Sequence, residues 1–138
     1  MKNIATIALI TALALAPLAA GAGEPVHGVI VESSIETTGN GAHSFRAWGD
    51  KRHVLVSNRA GNTISKIDTS TLTVVDQFPG PSGPDDMEVL TDGKTLLVTS
   101  RWAGKLTEID TTTRKIVRQV KVGKSPHGIW TLDHKPRL

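Results

Sequence analysis

Short apolar stretches alternate with polar turns along most of the chain after residue 42. One set of stretches covers residues 87–90, 96–99, 105–109 and 115–122. Asp92-Gly93 separates the first two, and this pair between apolar stretches is a strong hairpin signal because glycine adopts positive φ at low cost. Residues 110–113 form a polar turn whose side chains can bind backbone amides. The pattern predicts four short β-strands and indicates no helix.

The same pattern occurs earlier in the chain, at a spacing of 42 residues and without a gap. The positions that keep their residue type include Leu55 with Leu97, Arg59 with Arg101, Ile67 with Ile109, Asp68 with Asp110, and Pro84 with Pro126. A four-stranded unit every ~40–45 residues is typical of a β-propeller blade. The repeat therefore predicts an all-β chain of propeller blades.

The repeat units resemble the YVTN repeat of YncE-like periplasmic propeller proteins of bacteria. The similar segments are VLVSN at residues 54–58, NTISKID at 62–68, LLVTS at 96–100 and SPHGI at 125–129. The units depart from the repeat where Leu55 and Leu97 replace tyrosine and where Ser100 replaces asparagine. The resemblance covers residues 42–138 and implies a partial β-propeller of about two four-stranded YVTN-type blades plus a fragment.

The first 22 residues have the pattern of a secretory signal peptide. Lys2 gives a positive start, residues 4–16 are mostly apolar, and small residues follow Pro17. The apolar run is shorter than the ~20 residues that span a bilayer. We predict cleavage after Ala22, with cleavage after Ala20 as the alternative, and a location in the bacterial periplasm or outside the cell. Residues 23–41 are an N-terminal segment with a candidate strand at 26–31.

The last residues predict an inner strand at 129–132 whose hairpin partner would start at Leu138, the equivalent of Leu96. A closed propeller takes at least ~4 blades, which is more than this chain supplies. Two explanations stay open. One is truncation of a longer propeller, which we favour because the chain stops within a hairpin. The other is a ring that closes through self-association of copies of this chain.

Composition excludes several classes of function. The chain has 138 residues, 38% of them hydrophobic, which is enough for one domain with a core. It has no cysteine, so disulfides, thiolate metal sites and CxxCH haem attachment are excluded. A net charge of +3 gives no signal for nucleic acid or for an anionic membrane surface. The sequence also lacks P-loop, GxGxxG, HExxH and GxSxG motifs.

The candidate functional residues lie at one end of the predicted blades. In an antiparallel four-stranded blade, the start of the first strand and the loop between the second and third strands share an end. His43, Asp85 and His127 are repeat equivalents at the start of first strands. The candidate ligand-binding residues at this end are His43, Asp85, Asp86, His127, Arg59, Arg101 and Trp102.

Two interpretations of these residues stay open. In the functional one, His43, Asp85 and His127 bind a divalent metal or one imidazole acts as an acid or base. The two arginines would then hold a carboxylate or phosphate, and Trp102 would stack on a ring. In the structural one, His127 caps a strand, and the arginines are solvated or paired with Asp85 or Asp86.

Other polar and aromatic residues have structural interpretations. Asp68 and Asp110 are predicted to fix turns through bonds to backbone amides. Trp48 and Trp130 are predicted to pack within blades. The remaining histidines are assigned no role: His53 and His134 lie near hairpin turns, and His27 lies in the N-terminal segment.

The leading hypothesis is an exported binding or interaction module without a cofactor, whose partner is a small ligand or a periplasmic protein. The alternative comes from the resemblance, because similar propellers carry haem in nitrite reductases, form subunits of amine dehydrogenases, or open lactones. Under that alternative His43 or His127 would be an axial haem ligand, a metal ligand or a base. A third hypothesis is an inactive fragment of either.

Overall fold

The computed structural model describes residues 35–132, and all of the regular structure in this range is β-strand. The strands are β1 (Ala42–Ala47), β2 (His53–Asn58), β3 (Thr63–Asp68), β4 (Thr73–Pro79), β5 (Pro84–Val89), β6 (Thr95–Ser100), β7 (Lys105–Asp110) and β8 (Lys115–Lys121). Within this part of the chain, no helix is long and apolar enough to cross a membrane. The predicted signal peptide and the candidate strand at 26–31 lie outside the described residues.

The strands form two four-stranded sheets, ordered β1-β2-β3-β4 and β5-β6-β7-β8, in which every pairing is antiparallel. Each sheet is one repeat unit, so we call them the first and second blade. Gly93 has a φ of 69°, as the hairpin signal in Asp92-Gly93 requires. The prediction of an all-β, partial propeller with four strands in each unit is confirmed.

The two blades pack face to face over one hydrophobic core. The first blade contributes Leu55, Ile64 and Phe78, and the second contributes Met87, Val89, Leu96, Val98 and Ile109. All of these side chains are at most 3% exposed. Burying an aliphatic or aromatic side chain of this size stabilises a fold by about 1.5–3 kcal/mol, so this junction is the main source of stability.

The opposite face of the second blade has no such cover among residues 35–132. Leu97 and Leu106 are the equivalents of Leu55 and Ile64, yet both remain partly exposed. Val120, the equivalent of Phe78, is 50% exposed. The described sheets therefore form an open, unclosed section of a propeller.

Two predictions about the end of the chain are wrong. Residues 129–132 carry no strand, because no described segment pairs with them. Trp130 is 75% exposed rather than packed within a blade, since no described sheet covers it. Trp48 behaves as predicted, because it packs against the core and its ring lies 4.1 Å from the Lys66 ammonium.

Candidate functional site

Two β-bulges shape the end of the blades at which β1 and β5 begin, which we call the site end. The pairing of β1 with β2 shifts between Ala42 and Phe45, and the pairing of β5 with β6 shifts between Pro84 and Met87. His43 and Asp85 lie inside these irregular segments. Bulges re-aim side chains and are common beside functional sites. The bulges direct both side chains toward one point between the blades.

The loops between second and third strands return to the same end, as predicted from the topology. The Arg59 amide donates to the Gly41 carbonyl at 2.8 Å, and the Arg101 amide donates to the Gly83 carbonyl at 2.8 Å. Gly41 and Gly83 have φ values of 73° and 64°, a region that favours glycine. These equivalent bonds place Arg59 beside the start of β1 and Arg101 beside the start of β5.

The carboxylate of Asp85 is the centre of the site and is fully buried. His127 Nδ1 lies 2.7 Å and His43 Nε2 lies 2.9 Å from its Oδ1 atom. Arg59 Nη2 lies 2.7 Å and Arg101 Nη1 lies 3.5 Å from its Oδ2 atom. Arg59 Nη2 also contacts His43 Nε2. We call these five residues the Asp85 cluster; they join three consecutive repeat units.

The cluster favours the ionised form of Asp85. Burial opposes ionisation, but the hydrogen bond with His127 and the nearby charges of Arg59 and His43 outweigh it and lower the pKa of Asp85. A lowered pKa means that the carboxylate stabilises the fold above its ordinary pKa, and that this stabilisation is lost as pH falls through the lowered value. Asp85 is therefore ionised at neutral pH and paired with the guanidinium groups of Arg59 and Arg101.

The cluster carries an excess of positive charge at its exposed rim. Two guanidinium charges face one carboxylate, which leaves one positive charge even when both imidazoles are neutral. The side chains of His127, Arg101 and His43 are 61%, 40% and 34% exposed, whereas that of Asp85 is fully buried. Solvent therefore contacts the arginine and histidine side chains of the cluster rather than the Asp85 carboxylate.

Two of the predicted site residues lie outside the Asp85 cluster. Asp86 Oδ1 accepts a hydrogen bond from Ser44 Oγ at 3.1 Å and from the Met87 amide at 2.9 Å, so it links the two inner strands. Trp102 is 58% exposed and its indole lies against Gly83. The other five predicted residues are those that the structure brings together around one carboxylate.

Sequence reasoning missed two polar residues that bond the first blade to β5. Arg46 Nε donates to the Met87 carbonyl at 2.6 Å, and its Nη2 lies 3.3 Å from Glu88, its own repeat equivalent. Ser57 Oγ donates to the Asp85 carbonyl at 2.7 Å. The offset of 42 residues between Arg46 and Glu88, with opposite charges, was the signal available in the sequence.

The histidine and carboxylate atoms also converge closely enough to hold a metal ion. One ligand atom from each of His43, Asp85 and His127 lies within 4.8 Å of the others. Imidazole nitrogen with carboxylate oxygen suits zinc and other transition metals. The two guanidinium groups on the same carboxylate oppose a cation there, so the charge of the cluster favours an anion.

The sequence matches the YncE-like β-propeller family over residues 22–137. The chain belongs to this family. The resemblance in the repeat segments is thereby confirmed, and the YncE-like match extends to residues N-terminal of the described blades. No curated protein matches the chain.

Solved structures similar to this YncE-like chain come from diverse proteins and organisms. Hydrazine synthase of Kuenenia stuttgartiensis has a TM-score of 0.58 at 22% identity, covering 72% of this chain and 28% of that one. A functionally unknown protein of Desulfotomaculum acetoxidans gives 0.55 at 17%, covering 77% and 32%. The Cps50 (Swd1) β-propeller domain of Myceliophteria thermophila gives 0.51 at 19%, covering 59% and 25%.

At these identities the likenesses show the fold alone. The YncE-like chain spans only 25–32% of the length of these three structures. The two blades and the start of a third unit therefore correspond to a section of each larger protein.

Proposed function

We propose that this chain acts as a binding module of an exported propeller and that the Asp85 cluster receives a small anionic ligand, such as a carboxylate or phosphate. The observation that carries the proposal is a buried carboxylate surrounded by donors that reach solvent. Family membership supports the propeller scaffold, and the predicted signal peptide supports export to the periplasm. The site end would present the ligand site on the face of the ring.

The supply of hydrogen-bond donors favours an anion. Asp85 Oδ1 and Oδ2 together engage one nitrogen each from His43, His127, Arg59 and Arg101. The Arg101 guanidinium has further N–H groups, and the second ring nitrogen of each histidine is a donor when the imidazole is protonated. Arg101 and His127 are the more exposed of the four, so the free N–H groups of Arg101 and, when His127 is protonated, its Nε2–H would contact the ligand. Asp85 and Arg59 would position them.

The proposal can be tested by isothermal titration calorimetry with inorganic phosphate as the probe. Arg101→Ala removes an exposed donor, and charge-assisted hydrogen bonds contribute about 1.5–3 kcal/mol, so we expect at least ~10-fold weaker binding. Arg52→Ala is the matched control, because Arg52 pairs with Asp68 at 2.6 Å at the other end of the blades. Phosphate binding that is absent from the wild-type chain, or equally weakened by both variants, would refute the proposal.

A metal centre is the second candidate, and the 4.8 Å convergence of His43, Asp85 and His127 favours it. This arrangement would suit the alternative in which the propeller belongs to an enzyme. Titration with Zn²⁺ in the absence of phosphate tests it. Stoichiometric binding that His127→Ala abolishes and His53→Ala preserves would support a metal centre and count against the anion site.

A further inference from the structure

Trp102 and Ala60 occupy equivalent positions in the two blades, and both pack against an equivalent glycine. A methyl group on Gly41 would lie 3.0 Å from the Ala60 Cβ atom. A methyl group on Gly83 would lie 2.6 Å from Trp102 Cδ2. Both glycines have positive φ, so the backbone conformation just before β1 matches that just before β5. The blade architecture therefore accepts an alanine at this position.

The fold does not require a side chain as large as the Trp102 indole at this position. One face of the ring region is in contact with Gly83, but the residue as a whole is 58% exposed. A large aromatic surface left in water forgoes the stabilisation that its burial would give. The first blade avoids this exposure with Ala60. The second blade carries the exposed indole in the loop that also supplies Arg101 to the Asp85 cluster.

We propose that Trp102 is a stacking platform and that the ligand carries its anionic group on a flat unsaturated ring. This inference rests on the proposed function, because Arg101 and His127 would bind the anionic group while Trp102 covers the ring. Adjacent positions in one loop supply the guanidinium and the indole, which suits a ligand with a charged group next to a ring. Aromatic faces prefer offset stacking on other flat π-systems.

Pairs of probes that differ only by a ring test this inference. Benzoate is compared with acetate, and phenyl phosphate with inorganic phosphate, by isothermal titration calorimetry on the full chain. We expect each ring-bearing probe to bind about fivefold more tightly than its partner, as expected for an aromatic stacking contact. The carboxylate and phosphate pairs also show which anionic group the site prefers.

Two tryptophan variants assign the effect to one ring. Trp102→Ala is expected to fold, because Ala60 already occupies the equivalent position, and to bind all four probes without a preference for the ring. Trp130→Ala removes another exposed indole, 75% accessible, and should keep the preference. A wild-type chain that binds acetate and benzoate equally, or a preference that survives Trp102→Ala, would overturn the inference alone. Binding of none of the four probes would overturn the proposed function as well.

Discussion

The two ends of the blades use carboxylates in different ways. At the end formed by the hairpin turns, which we call the turn end, Asp50 and Asp92 are repeat equivalents with equivalent bonds. Asp50 Oδ1 accepts from the Arg52 and His53 amides at 3.0 and 2.8 Å. Asp92 Oδ1 accepts from the Lys94 and Thr95 amides, both at 2.8 Å. Equivalent carboxylates therefore hold equivalent hairpin turns in the two blades.

A second pair of carboxylates at the turn end also accepts hydrogen bonds from equivalent backbone amides. Asp68 Oδ1 accepts from the Ser70 amide at 2.8 Å, and Asp110 Oδ1 accepts from the Thr112 amide at 2.7 Å. These bonds confirm the predicted role of Asp68 and Asp110 in fixing turns. At the turn end, the carboxylates that recur with equivalent bonds to backbone amides serve the fold.

At the site end, the residue type differs between repeat units at the positions that form the candidate site. The equivalent positions 43, 85 and 127 hold histidine, aspartate and histidine, and positions 60 and 102 hold alanine and tryptophan. The only carboxylate of the first set gathers side chains from all three units. At the turn end, identical residues make equivalent bonds and serve the fold. At the site end, the repeated arginines Arg59 and Arg101 share one carboxylate with side chains that depart from the repeat, and those departures mark where function can be assigned.

The largest expected effect is the loss of the central carboxylate. Asp85→Ala leaves two arginines without their partner in a partly buried site, and breaking such a pair costs about 3–5 kcal/mol. Urea denaturation should show this loss in the free energy of unfolding. Asp86→Ala is the control, since Asp86 accepts bonds from Ser44 and the Met87 amide outside the cluster. Equal losses for both variants would show that Asp85 is no more central than its neighbour.

The next largest loss of stability is expected in the core, where equivalent leucines of the two blades should behave differently. Leu55 is 0% exposed at the junction, so Leu55→Ala should lower the free energy of unfolding by about 2–4 kcal/mol. Leu97→Ala removes the equivalent side chain from the open face and should cost about 1 kcal/mol. Urea denaturation of both variants measures the difference. A Leu97→Ala loss as large as that of Leu55→Ala would mean that the outer face of the second blade is covered.

At the turn end, we expect equivalent substitutions in the two blades to lower the free energy of unfolding by equal amounts. Asp50→Ala and Asp92→Ala each remove equivalent bonds to two backbone amides, and each should cost about 1–2 kcal/mol. Thermal unfolding followed by circular dichroism gives the comparison directly. Effects that differ more than twofold would break the rule that repeated residues act alike.

The smallest effect is expected at the position that departs most from the repeat. Trp102→Ala should change the free energy of unfolding by less than about 0.5 kcal/mol, as is usual for exposed sites. Trp48→Ala is the contrasting variant, because Trp48 packs against the core and meets the Lys66 ammonium. A large loss for Trp102→Ala would show that the indole serves the second blade and not a ligand.

Much of the fold could be predicted from the sequence, because the repeat indicates where each strand lies and which residues share an end of the blades. The hairpin signal at Asp92-Gly93 and the ungapped spacing placed every described strand within a few residues. The same spacing predicted that His43, Asp85 and His127 share an end, and the structure brings them to one carboxylate.

The finer features depend on geometry that a linear pattern does not contain. The bulge between Pro84 and Met87 decides that Asp85 points into the cluster while Asp86 bonds to Ser44. Adjacent carboxylates look alike in sequence, so both were predicted as site residues. The missing strand at 129–132 has a similar cause, because an apolar stretch becomes a strand only when a partner strand is present.

The most direct test of the anion site is a phosphate titration followed by amide and imidazole resonances in the nuclear magnetic resonance spectrum. The site end provides Gly83, Asp85, Arg101 and His127 as reporters, and the turn end provides Asp50 and Asp92 as internal controls. We predict saturable shifts at the reporters of the site end and none at the controls. Shifts that are confined to the turn end, or no saturable shift at the site end, would contradict the claim that the Asp85 cluster binds anions.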